Sequence, residues 1–116
     1  MVDLTVDLCG TSLPNPLVLA SGIWGSCAQT MVRLARLGAG AVTSKSCSLT
    51  PRAGHPNPTV LRWEGGLINA VGLSNPGARL QRSILSEAKE DLELLGVPLI
   101  ASVFGESEDT FRQAVE

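Results

Sequence analysis

The chain has 116 residues, 44% of them hydrophobic and 17% charged, with a formal net charge of -2. That balance excludes a disordered tail and predicts one globular domain over residues 1–116, and the absence of a basic block gives no electrostatic case for nucleic acid or an anionic membrane as a partner. Cys9, Cys27 and Cys47 are odd in number, form no CxxC pair and have a single histidine, His55, to help them, which reads as reduced thiols in a cytoplasmic protein and not as a metal centre.

Val2, Leu4, Val6 and Leu8 alternate with Asp3, Thr5, Asp7 and Cys9, the period of a strand with one buried face. Neither a basic leader nor an apolar run of the ~18 residues that a membrane span needs is present. Gly10, Thr11 and Ser12 turn the strand into a hairpin whose return arm is broken by Pro14 and Pro16. Leu17 to Ala20 is a continuous apolar run closed by Ser21 and Gly22, as expected of a strand buried on both faces of a parallel sheet. A helix follows from about Ala28 to Leu37, with Met31, Leu34 and Ala35 inward and Gly38 as its stop.

Ala41 to Lys45 reads as a second buried strand, with Ala41, Thr43 and Lys45 on one face and Val42 and Ser44 on the other. Residues 46–66 form a long Pro-rich excursion, with a small extra strand over Thr59 to Trp63, and a long insertion between a strand and its helix is usually functional. The stretch from Asn69 to Gly77 follows. Asn75 is suited to cap a helix and Pro76 to its first position, so unpaired N–H groups are delivered near Asn69 and the Val71 to Leu73 backbone. This looks like the floor of a pocket, although the same residues also fit an ordinary polar loop.

Leu80, Ile84, Ala88, Leu92 and Leu95 then mark the clearest helix, stopped by Gly96 and Pro98. Leu99 to Phe104 is a third buried strand, and Ser107 caps a last helix with Glu108 and Asp109 in its first turn. Hairpin, then about three βα units, predicts an α/β fold with a parallel sheet, either doubly wound or the beginning of a closed barrel. Eight units need ~250 residues, so a chain that stops within a helix at Glu116 reads as a truncated one.

Ligands of such sheets bind at the carboxyl ends of the strands. Ser21, Gly22, Lys45, Ser46, Ser102, the Asn69 to Leu73 turn and Asn75 all fall there. Lys45, at the end of a buried row, calls for an anionic partner or a shifted pKa. His55 reads as a solvent-exposed loop residue, Cys47 as a passive thiol, and Trp24 and Trp63 as loop core. There is no GxGxxG, Walker loop or metal-ligand spacing.

With these residues in view, the segments Asn15 to Gly22, Thr43 to Ser46, Asn57-Pro58, Asn69 to Leu73 with Asn75-Pro76-Gly77, and Val97 to Ser102 resemble the amino-terminal part of dihydroorotate dehydrogenases, most closely the class 1B catalytic subunits. The resemblance implies the first part of a (β/α)8 TIM barrel that holds FMN and oxidises dihydroorotate to orotate in pyrimidine biosynthesis. It also implies an iron–sulfur flavoprotein partner, carrying FAD and a 2Fe-2S cluster, that passes electrons to NAD, and an oligomer when complete. By the matching motifs Ser21, Gly22, Lys45, Ser46 and Ser102 contact FMN, although many relatives carry asparagine where Ser102 stands. Lys45, Asn69, Ala70, Val71, Gly72, Leu73 and Asn75 bind substrate. The family's catalytic base, a cysteine in this class, is expected beyond residue 116, so the chain alone should not turn over. Two rivals remain: the FMN domain of dihydropyrimidine dehydrogenase, and a non-catalytic partial barrel that binds a flavin or a partner protein.

Overall fold

The computed structural model describes residues 2–116. Its centre is a three-stranded parallel sheet of β3 (Val18–Leu19), β4 (Ala41–Thr43) and β7 (Leu99–Ile100), placed side by side in chain order. Helix α1 (Ala28–Arg36) connects β3 to β4, and α2 (Ala78–Leu94) precedes β7. The two helices pack on each other, and their Met31, Val32, Ala35, Ala88 and Leu92 join Val42 in one core cluster. Strands in sequential order with both helices on one face are singly wound, which is the arrangement that closes into a barrel and not the doubly wound alternative.

The β1 strand (Val6–Leu8) pairs antiparallel with β2 (Thr11–Leu13), with Val6 opposite Leu13. The turn is Cys9-Gly10, not Gly10 to Ser12, and the return arm does end at Pro14. The expected buried row fails here: Val2, Leu4 and Leu8 are exposed, and Leu13 on the return arm is the buried member. Leu17 and Val18 are likewise exposed instead of buried on both faces, because β3 is an edge with β4 as its one pairing neighbour. The radius of gyration is 15.6 Å, against about 13 Å for a compact domain of this length.

The excursion after β4 contains more structure than its composition suggests. The predicted strand is β5 (Val60–Trp63), but it pairs with an unforeseen β6 (Gly66–Asn69), so Asn69 ends a strand instead of opening a turn. Trp63 stands on this projecting hairpin at 64% exposure and Trp24 on a short 3-10 turn at 59%, so neither is loop core.

Helix α2 begins at Ala78 with Gly77 as its cap residue, so Pro76 is not its first position and Asn75 not its cap: the Asn75 side chain accepts the Gly77 N–H from outside the helix. Its inward stripe is Gln81, Ile84, Leu85, Ala88 and Leu92; Leu80 and Leu95 point outward. Helix α3 (Glu108–Val115) has the predicted Ser107 cap: the hydroxyl accepts the Thr110 N–H at 3.2 Å and the Thr110 hydroxyl accepts the Ser107 N–H. Ser107→Ala removes the hydroxyl that accepts the Thr110 N–H, leaving the backbone N–H to Thr110 Oγ1 in place, and should lower stability by about 1 kcal/mol, read as a shifted urea midpoint at constant m-value. No helix among the described residues is long and apolar enough to cross a membrane.

Candidate functional site at the strand ends

Three serines, one from the end of each parallel strand, form a continuous hydroxyl chain. Ser21 and Ser46 Oγ atoms lie 2.9 Å apart and Ser46 and Ser102 Oγ atoms 2.7 Å apart, while the Ser46 N–H donates to Ser21 Oγ. The register shifts by one between the Thr43–Ile100 pair and the Cys47–Val103 bridge, so the β4 side carries one extra residue there, and this bulge brings Ser46 level with Ser102. Ser44, fully buried in the alternate row, accepts the Ser102 N–H at 3.1 Å and fixes the end of the third strand from behind. The period-two reading had placed Ser44 opposite Lys45 without giving it this task.

Next to the serines, Gly22 is extended and has no atom within 4 Å of where a Cβ would stand, so that side of the row is open. Lys45 is half-buried, and its N–H donates to the Gly25 carbonyl at 2.8 Å, which pins the lysine's backbone to the 3-10 turn. Among the described residues no ion pair involves Lys45. A cleft of about 290 Å³ brings it together with Ile23, Ser26, Val71, Ser74 and Asn75.

The other wall is the turn after β6. Ala70 donates its N–H to Thr59, and the Val71 carbonyl accepts the His55 N–H. Gly72 has φ 75° and Leu73 φ 56°. The left-handed region is costly for a leucine, so two successive peptide planes are held in an orientation that an unconstrained chain would leave. A Cβ at Gly72 would lie 2.6 Å from His55 Cδ2, so this histidine, exposed as expected, also packs against the turn. Asn75 holds the turn from beneath. At 7% exposure its amide donates to the Leu73 carbonyl and Ser48 Oγ and accepts from the N–H groups of Gly77 and Ser48. Both ends of the amide are engaged by the loop itself. Asn69 and Ala70 are exposed and Val71 half-exposed on the rim.

The cysteines do not enter this row. Cys47 is buried, which pushes its thiol above the usual range, and it lines a different cleft behind the sheet. The Thr30 hydroxyl beside Cys27, together with the Thr30 backbone, lowers that thiol. Cys9 sits in the first hairpin.

A family model described as dihydroorotate dehydrogenase matches residues 3–116. The chain belongs to the dihydroorotate dehydrogenase family. Within it, the chain is 47% identical over 111 residues to the catalytic subunit of dihydroorotate dehydrogenase B (NAD(+)) of Methanothermobacter thermautotrophicus, covering 96% of this chain and 35% of that protein. Its counterpart in Methanocaldococcus jannaschii is 39% identical over 113 residues, 97% of this chain and 37% of that one. The chain thus spans just over a third of the length of these relatives. The fold is that of part of the dihydroorotate dehydrogenase barrel: the crystal structure of DHODH from Eimeria tenella with ferulenol superposes with a TM-score of 0.85 at 22% identity, covering 97% of this chain and 33% of that one.

Proposed function

We propose that this chain, as part of a (β/α)8 FMN-binding domain, serves the oxidation of dihydroorotate to orotate in cytoplasmic pyrimidine biosynthesis. The observation that carries the reading is the shared cleft of Lys45 and the Val71 to Asn75 turn beside the hydroxyl row. The residues present fit a flavin. The Ser21, Ser46 and Ser102 hydroxyls can rotate to donate to or accept from the carbonyl oxygens and nitrogens of its edge, Gly22 leaves room beside them, and Lys45 supplies a cation.

When bound, FMN supplies the electron acceptor for the carbon–carbon bond that is oxidised. Lys45 then has two tasks at its ammonium: to neutralise negative charge at the flavin's pyrimidine edge and to bind the substrate carboxylate. Asn69 and the Ala70 to Leu73 backbone hydrogen-bond the pyrimidine ring and hold its face in a fixed orientation. Preorganised donors of this kind cost no reorganisation during reaction. Asn75 acts on the substrate by fixing that turn. In this reading the proton acceptor is a residue outside 1–116, as the resemblance to the class 1B catalytic subunits implies. Electrons leave through a separate iron–sulfur flavoprotein subunit in this reading, in keeping with relatives named as catalytic subunits of an NAD(+) enzyme.

Substrate preference tests the assignment against the dihydropyrimidine dehydrogenase alternative. The complete enzyme should oxidise dihydroorotate and leave dihydrouracil, which lacks the carboxylate that Lys45 would bind, essentially untouched. Equal kcat/KM for the two would remove the substrate role of Lys45.

A further inference from the structure

The inward stripe of α2 carries a glutamine where a core side chain is expected. Gln81 sits there in line with Ile84, Leu85, Ala88 and Leu92. It is 1% exposed, and both its Oε1 and Nε2 are buried with no hydrogen-bond partner among the described residues. Such an amide is costly, whereas an apolar side chain of the same shape would be free of that cost. An amide held at this cost calls for a task.

Its place on the helix says where the task lies. Gln81 stands one turn into α2, its N–H donating to the Gly77 carbonyl at 3.0 Å. Helical side chains lean back toward the N-terminus of their helix, so Gln81 leans toward the Val71 to Asn75 turn. It accordingly lines the cleft of about 290 Å³ that holds Lys45, whose walls are the start of α2, the 3-10 turn, the end of β4 and the turn after β6. Two unmatched groups thus border one space: among the described residues the ammonium has no ion pair and the amide no hydrogen bond. Their needs are complementary. A carboxylate offers more acceptor sites than one ammonium fills, and an ammonium more hydrogens than one oxygen takes.

We infer that Gln81 is a second carboxylate-binding residue of the Lys45 cleft: its amide turns about the side-chain torsions into the cleft, Nε2 donating to the carboxylate of the ligand and Oε1 accepting from the Lys45 ammonium. The inference rests on the assignment of this cleft to dihydroorotate and orotate. Gln81 meets the carboxylate and neither the ring nor the flavin, so it sets the preference for a carboxylated pyrimidine.

The test uses the complete, FMN-loaded enzyme, titrated by calorimetry with orotate and with uracil, which share the ring and differ in the carboxylate. Gln81→Met removes the amide and keeps an unbranched chain of similar length. It should weaken orotate about tenfold, the loss of one hydrogen bond to a charged group. Uracil affinity and flavin content should stay as they are, and the melting temperature should hold or rise because an unpaired amide has gone. Unchanged orotate affinity in Gln81→Met, with the wild type still preferring orotate to uracil, would overturn this inference and leave the assignment of the cleft standing. Equal affinity for the two probes in the wild type would overturn both. A parallel loss for orotate and uracil would show a packing role, and a lower melting temperature would show that the amide is paired in the complete protein; either result overturns the inference.

Discussion

Lys45→Ala should lower turnover of dihydroorotate in the complete enzyme by about 10² to 10³, the loss expected on deleting one preorganised group aimed at developing charge, and should release FMN on gel filtration. The argument rests on how the lysine is held. Its N–H is bound to the Gly25 carbonyl and the flanking Ser44 N–H to the Ile100 carbonyl, so the backbone has a single placement. The ammonium has no carboxylate partner among the described residues and remains free for anionic groups. The effect should divide between the two roles. Lys45→Arg keeps the charge and should recover flavin retention more fully than turnover, because a planar fork does not reproduce a compact ammonium. Unchanged flavin retention together with unchanged kcat in Lys45→Ala would reject the assignment.

Gly25→Ala should act on the same lysine from behind and also damage the fold. A Cβ there would lie 2.5 Å from the Thr43 carbonyl oxygen, 2.6 Å from the Lys45 nitrogen and 2.7 Å from the Ser44 carbonyl carbon. All three are backbone atoms at the end of the central strand, and moving them breaks the ladder to β7. The loss should reach about 3 kcal/mol, the upper part of the range for overpacking, seen as a lower urea midpoint. Gly22→Ala provides the contrast: its Cβ meets nothing within 4 Å, so the midpoint should hold while flavin affinity falls. Equal stability losses in the two variants would show that the close approach at Gly25 is not what constrains the turn.

The parts of the fold that were legible in the sequence are those with a local physical signature. Ser107 and its acidic first turn located α3, Gly38 closed α1, and apolar runs bounded by small residues marked the three strand ends at Ser21, Lys45 and Ser102. Periodicity misled where burial depends on distant partners. Val18 and Leu17 read as buried because they are apolar, yet an edge strand over an open inner face leaves them exposed. Leu80 fitted the spacing of the α2 stripe, while Gln81 took the inward place; the seven-residue step from Gln81 to Ala88 was the available signal, and glutamine's polarity concealed it. The β5–β6 hairpin escaped because its Glu64-Gly65 turn is flanked by only four residues on each side. Within the candidate site, the residue types were legible and their hydrogen bonding was not: the engagement of Asn75 with Ser48 depends on contacts 27 positions apart.

The serine row has a property that follows from counting its hydrogens. Each hydroxyl carries one, and two contacts link the three oxygens in a line, so one hydroxyl hydrogen is left over at one terminus or the other. If a ligand atom at Ser102 accepts that hydrogen, Ser46 donates to Ser102 and Ser21 donates to Ser46. A donor arriving at one end therefore reverses the sense of the whole line and changes what the other end offers, some two strands away, without any heavy atom moving. Discrimination between an oxidised and a reduced ring, which differ in where their hydrogens sit, is the kind of signal that such a reversible line of rotors can carry.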